Sequence, residues 1–184
     1  MILIDDRELN DSMAKDDSAT HEERVLLYAL LRATKPQVAV EIGTHRGLAA
    51  LYMANAIFDN YLDDPSRGKG ILHTTDPFDY DQDANLMKFY MLKDFLKVHH
   101  VKGKDLDVEK VDFLFVDGFH EEKHVLAEME HFLPRLTENA VVVFHDCGGD
   151  NVQVGVNAAI KKLGLETVFL PTENKMRIYG KFKP

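Results

Sequence analysis

The chain has 184 residues, 45% hydrophobic and 29% charged, enough for one domain with a sizeable core and too few for two ordinary ones. A net charge of −9 argues against a phosphate-backbone partner, and the apolar runs break well short of the ~20 residues of a membrane span. One cysteine, Cys147, excludes an internal disulfide and fits a reducing cytoplasm.

Residues 1–19 are acidic and aperiodic and read as an N-terminal arm or lid. They carry no basic n-region or small-residue cleavage site, so no signal peptide is expected. Residues 20–184 read as a single domain. Thr20-His21-Glu22-Glu23 is a capping box, and the helix it opens is expected to bury Val25, Leu26, Ala29, Leu30 and Ala33 and to stop before Lys35-Pro36. A strand at Val38–Ile42 leads to a helix over 48–58 that is apolar almost all round, then to a Pro/Gly-rich charged loop over 61–70. The next strand, Ile71–Thr75, stops at Asp76-Pro77. A helix over 84–97 is expected to turn Leu86, Phe89, Leu92 and Leu96 inward, followed by a short strand over 98–101.

Strand Val111–Val116 ends at Asp117-Gly118. The helix over 121–133 presents Val125, Leu126, Met129, Phe132 and Leu133, and Pro134 stops it. A strand over 140–144 ends at His145-Asp146, and Gly148-Gly149 turns the chain into a helix over 152–163. Segments 166–170 and 176–182 flank Pro171-Thr172-Glu173-Asn174-Lys175 and read as an antiparallel hairpin. Seven strands, most alternating with helices, predict an α/β fold. Its sheet is doubly wound and mostly parallel, with an antiparallel edge.

Ligands of such sheets bind beyond the carboxyl ends of the strands. Val40-Glu41-Ile42-Gly43-Thr44-His45-Arg46-Gly47 is a strand running into a Gly-x-x-x-Gly turn and a helix N-terminus, which offers open N–H groups to an anion. The same motif also serves as a tight turn with no ligand. Asp76, at the end of the second strand, can accept both hydroxyls of a ribose, although Asp-Pro is a turn signal too. A dinucleotide would call for Gly-x-Gly-x-x-Gly with its acid ~20 residues on. Here the middle glycine is missing and the acid is farther away, which favours a ligand without a pyrophosphate.

Together, Glu41-x-Gly43-x-x-x-Gly47, Asp76, Asp117-Gly118-Phe119-His120 and Val141-Val142-Val143-Phe144-His145-Asp146 resemble the class I S-adenosylmethionine-dependent methyltransferases. The closer likeness is to their small O-methyltransferase-like group, distantly similar to catechol O-methyltransferases. The resemblance runs from about Thr20 to Lys181 and implies a Rossmann-like sheet. It also implies cofactor contacts at Gly43, Thr44 and Gly47, with Glu41 fixing the turn, Asp76 on the ribose, Phe78 near the adenine, and Lys104-Asp105 at the adenine edge. Asp117 belongs to the cofactor set as well. The serine that the catechol-type pattern places two residues after the second glycine is Ala49 here.

In the catechol-type relatives, acids at the positions of Asp117 and Asp146 hold Mg²⁺. The position of their third oxygen ligand is Cys147, a poor Mg²⁺ ligand, so a softer ion such as Zn²⁺, Mn²⁺ or Fe²⁺ is the other candidate. The implied activity is methyl transfer to a small-molecule acceptor, most simply a hydroxyl, with His145 as first choice of base and His120 as second. The alternative is a binding protein or metal-dependent enzyme of the same fold that transfers no methyl group. Selectivity for the acceptor falls to residues 1–19, the loops 61–70 and 78–85, or the second subunit of a homodimer.

Overall fold

Hydrophobic runs without polar alternation mark strands covered on both faces, and Val111–Val116 and the last five residues of Leu136–Phe144 are nearly all buried. In the computed structural model, which describes residues 19–82, 86, 89–148 and 154–180, these strands lie at the middle of the sheet. The elements in chain order are α1 (His21–Thr34), β1 (Val38–Ile42), α2 (Leu48–Asp63), β2 (Ile71–Thr75), β3 (Leu96–His99) and β4 (Val111–Val116). They continue with α3 (Glu122–Phe132), β5 (Leu136–Phe144), α4 (Val154–Lys162), β6 (Val168–Leu170) and β7 (Met176–Gly180).

The seven strands are ordered β3-β2-β1-β4-β5-β7-β6. Neighbours from β3 to β5 are parallel, and β7 runs antiparallel to both β5 and β6, as the hairpin pattern predicts. The chain leaves β1 toward β2 and β3, then returns on the other side of β1 as β4, so a crevice opens where β1 and β4 end. Alternate residues of the central strands face opposite layers. Ala39, Phe113, Phe115, Val141 and Val143 pack with α1 and α2. Val40, Ile42, Leu114, Val142 and Phe144 pack with α3 and α4.

Several expected boundaries change. Helix α1 keeps its capping box but buries a different stripe: Glu23, Leu27 and Leu31 face inward, while Val25 is 44% exposed. The cause is Glu23 itself, a charged side chain that opens the buried i, i+4, i+8 row and that a count of apolar residues passes over. Helix α2 runs on to Asp63 because α1 supplies partners for its polar last turns: the Tyr28 hydroxyl donates to Asp59 Oδ2 at 2.6 Å, and Arg32 to Asn60 Oδ1 at 2.6 Å.

The helix expected over 84–97 does not reach its end. The chain makes a short turn at Tyr90–Leu92, buries Leu92 and Phe95 against the α1/α2 layer, and enters β3 at Leu96, which pairs with Leu72. Strand β5 begins four residues earlier than expected, at Leu136, across a register shift opposite Val111 and Phe113. The 1–18 arm, residues 83–85 and 87–88, the start of the helix expected from 152, and residues 181–182 of the hairpin lie outside the described residues.

The buried stripe of α1 makes a direct prediction. Leu27→Ala or Leu31→Ala lowers the unfolding free energy by about 2–5 kcal/mol, while Val25→Ala changes it by less than about 0.5 kcal/mol. Urea titrations of the three variants check this; equal losses would restore the expected stripe.

Candidate functional site

The turn after β1 holds three residues at positive φ in five positions: Gly43 (98°), His45 (46°) and Gly47 (88°). The Gly43 and Thr44 N–H groups donate to the Thr75 carbonyl at 2.9 and 3.3 Å, tying the turn to the end of β2. Gly43 is required by packing: a Cβ there would lie 2.1 Å from the Asp117 carbonyl oxygen at the end of β4. Gly47 caps α2 without a side-chain hydrogen bond, which leaves the helix N-terminus open toward the crevice.

That crevice is a cavity of about 310 Å³. It crosses the carboxyl edge of the sheet from Leu48 and Ala49 on the α2 side to Ala127 and Glu128 on the α3 side. Gly43, Thr44, Asp76, Phe78, Asp117 and His120 all line it, so the structure brings most of the expected site residues together. Asp76 is 7% exposed; its Oδ2 accepts from the His45 N–H and its Oδ1 from the Phe78 N–H, both at 3.0 Å. The carboxylate is thereby aimed, with lone pairs to spare for two hydroxyls.

Three residues expected to contact the cofactor do not line the cavity: Gly47, which is the N-cap of α2, Glu41 and Asp105. Glu41 lies beneath it, fully buried, with the Thr74 hydroxyl donating to Oε2 and Thr74 in turn 2.6 Å from the Thr44 hydroxyl. Burial pushes its carboxyl up to about 8, with the nearby Asp117 and Asp76 charges adding to the shift, so it is an uncharged acid at neutral pH. It supports the turn from below. Of the Lys104-Asp105 pair, Asp105 points away because Gly103–Asp105 is a short helical turn, which directs its side chain to solvent beside Lys104 at 3.7 Å, while Lys104 lines the cavity with Gly103.

Behind the cavity is a cluster of buried charge. His145 is 1% exposed, with Nε2 3.0 Å from Glu23 Oε2 and Nδ1 2.8 Å from Asp117 Oδ1 and 3.4 Å from Asp146 Oδ2. Burial opposes protonation of this ring, but the Asp117 charge and the contacts with Asp146 and Glu23 outweigh it and hold the pKa far above the ordinary imidazole value. Burial likewise opposes ionisation of Glu23, and the His145 contact holds its carboxyl well below the usual range. Glu23 also accepts from the Asn174 N–H and side-chain amide, each at 2.9 Å, and from the Thr20 N–H at 2.9 Å. His145 is therefore sealed outside the cavity lining, with Nε2 held by Glu23 and Nδ1 paired by charge with Asp117 and Asp146 without an aligned hydrogen bond, an environment that favours the imidazolium over a base. This replaces the expectation drawn from its ordinary pKa.

His120 occupies the accessible position. It lines the cavity, with Nε2 3.0 Å from Asp146 Oδ2 and 3.7 Å from Asp117 Oδ1. The Asp117 contact raises its pKa, burial opposes, and the Asp146 charge adds to the rise. Its Nε2 is sealed from solvent with no well-aligned hydrogen bond, so the contacts with the two carboxylates are ion pairs. Donor atoms of Asp117, His120 and Asp146 all fall within 4.8 Å of one another. Cys147 is turned into the core, its Sγ 3.6 Å from the carbonyls of Phe144 and His145, and burial pushes the thiol up to about 12. It is not part of the donor group formed by Asp117, His120 and Asp146.

Sequence reasoning missed two site residues. Glu23 satisfied the capping box and hid its second partner. Glu128 is 6% exposed and lines the cavity, and burial pushes its carboxyl up to about 7. Its signal was its place on the inward stripe of α3, between Val125 and Phe132.

The profile of a family described as a methyltransferase domain matches residues 40–147. The chain is 28% identical over 131 residues to the uncharacterized protein y4gI of Sinorhizobium fredii, an alignment covering 64% of this chain and 14% of that protein. Among solved structures, the O-methyltransferase from Bacillus cereus in complex with SAH aligns at 14% identity with a TM-score of 0.70, over 96% of both chains. TomG from Streptomyces achromogenes, an O-methyltransferase in complex with SAM, aligns at 16% identity with a TM-score of 0.69, over 95% of this chain and 85% of that one. A methyltransferase from Geobacter sulfurreducens aligns at 17% identity with a TM-score of 0.68, over 90% and 80%. These likenesses establish the fold.

The charge cluster predicts how stability responds to mutation and to pH. Glu23→Gln leaves His145 with one anchor fewer and lowers stability by about 3–5 kcal/mol in denaturant titrations. In the wild type, stability declines as pH rises above about 6.5. There the unfolded chain releases the His145 proton that the folded chain keeps. Glu41 and Glu128, raised to about 8 and about 7, act in the same direction from about 4.5 upward. Equal or greater stability at about pH 8 than near pH 6 contradicts the assignment.

Proposed function

Because the chain belongs to the family of methyltransferase domains, we propose that it transfers the methyl group of S-adenosylmethionine to a hydroxyl of a small molecule in the cytoplasm. The observation that carries the reading is the aimed Asp76 carboxylate in a cavity running from the open N-terminus of α2 to the far face of the sheet. That arrangement suits a ligand with an amino-acid carboxylate at one end, a ribose in the middle and a base at the other. The net charge of −9 favours a small acceptor over nucleic acid, and no helix of the described residues is long and apolar enough to cross a membrane.

The cofactor supplies an electrophilic methyl group whose leaving sulfur departs uncharged. The protein then has three tasks: to align the acceptor, to exclude water and to take the hydroxyl proton. His120 lines the cavity and is the residue placed to receive that proton, with Asp117 and Asp146 orienting the ring from its Nε2 side and stabilising its cationic form. His145 positions those two carboxylates from behind.

Two oxygens and one imidazole nitrogen also fit a divalent ion of borderline character, and the sealed His120 Nε2 without an aligned hydrogen bond agrees with that fit. Asp117, Asp146 and His120 would hold such an ion, which would lower the pKa of a coordinated hydroxyl.

Calorimetry tests the cofactor site: Asp76→Ala weakens S-adenosylmethionine binding at least about tenfold, and undiminished binding overturns the ribose assignment. For the proton, His120→Ala lowers turnover about 10²–10⁴-fold while leaving cofactor affinity within a few fold. Because the His120 pKa is raised, the rising limb of the wild-type pH–rate profile lies above about 6.5. A His120→Ala enzyme at full rate excludes it as the base.

A further inference from the structure

Glu128 carries a buried carboxyl oxygen to which the protein offers no hydrogen bond. It is 6% exposed and lines the cavity, and its Oε2 is sealed from solvent with no hydrogen-bond partner. An unsatisfied buried carboxyl on a helix that could have carried a leucine there is a standing cost to the fold. Such costs persist where a ligand supplies the missing partner.

The surroundings say what kind of ligand. Gly118, at the end of β4, leaves the carboxyl uncovered: a Cβ there would come within 3.3 Å of Glu128 Oε1. Gly103, from the β3–β4 connection, lines the same end of the cavity and closes with Gly118 on the Ile42 side chain. Two half-exposed rings, Phe78 and Phe119, stand at the mouth with centroids 6.1 Å apart and planes at 80°. Glycine backbone and two aromatic rings in the lining of one cavity suit a flat heterocycle. A carboxyl at the cavity's inner end whose Oε2 lacks a partner, and whose ionised form burial alone disfavours, is matched by a ring bearing an N–H donor, which favours that ionised form.

We propose that Glu128 is the base-recognition residue of the cofactor pocket, accepting a hydrogen bond from the exocyclic amine of the cofactor's adenine and rejecting purines with an oxygen at that position. This rests on the S-adenosylmethionine reading above and adds to it the residue that reads the base. It follows from the span of the cavity: with the amino-acid end at the α2 N-terminus and the ribose at Asp76, the base extends across the sheet edge to α3. A 6-oxo purine would set an acceptor against the carboxylate, so Glu128 works by repulsion as well as attraction.

The test is calorimetry of the full chain with S-adenosylhomocysteine and its deaminated analogue S-inosylhomocysteine, on wild type, Glu128→Ala and Glu128→Gln. Wild type prefers the amino form by about 10- to 100-fold, the range of one hydrogen bond to a charged group. Glu128→Ala weakens the amino form and brings the two ligands within about threefold. Glu128→Gln narrows the preference less, because its amide still has an acceptor oxygen. Thermal unfolding of the ligand-free Ala variant is unchanged or raised, since an unpartnered carboxyl has been removed; a structural role would lower it. Retention of the wild-type ratio in Glu128→Ala overturns the proposal and leaves the cofactor reading standing. Failure of wild type to bind either nucleoside overturns both.

Discussion

The site depends on one buried ionic contact, between Glu23 in the first turn of α1 and His145 at the end of β5. Two charges removed from water are tolerated only when each is matched and hydrogen-bonded. Glu23 meets the condition by serving three parts of the chain at once: the Thr20 N–H at the start of α1, the His145 ring, and Asn174 in the hairpin turn. The arrangement draws the amino end of the domain and its carboxyl-terminal hairpin onto the strand that carries Asp146.

His145 passes that constraint forward. Its second nitrogen faces Asp117 and Asp146, so the two carboxylates at the ends of β4 and β5 share one fixed cation instead of repelling each other. Asp117 in turn presents its carbonyl to Gly43, so the same residue holds the charge cluster and shapes the glycine turn. The cavity's polar groups are therefore placed before any ligand arrives, which is how a site avoids reorganising during the reaction. It also separates the two imidazoles by role: the inner one is locked as a cation, and the outer one faces the cavity between the same two acids.

Much of this was legible in the residues. Short runs rich in apolar and β-branched residues, bounded by acids and turn residues, located β1, β2 and β4 to the residue, and the glycine turn pointed to the crevice. What escaped was whatever depends on a partner distant in sequence. Glu23 fits a capping box without needing His145, 122 positions away, and that concealed both the buried stripe of α1 and the protonation state of the histidine. Phe89, Leu92 and Leu96 have helical spacing, yet the edge of the sheet offered Leu96 a strand partner, and tertiary pairing won over local pattern. Asp105 was placed by its position after Gly103, but a short turn decided which side chain faces inward. Glu128 was passed over although it stands as a charge on the buried stripe of α3.

The protonation state of His145 bears most directly on this account, because it fixes which imidazole exchanges protons with a substrate. Nitrogen-15 chemical shifts of the imidazole nitrogens, recorded on uniformly labelled protein with His145→Gln as the assignment control, report it. The ring of His145 is an imidazolium at about pH 8, more than a unit above the ordinary histidine value, while a ring that loses its proton near pH 6.5 would contradict the buried charge network on which the site is built.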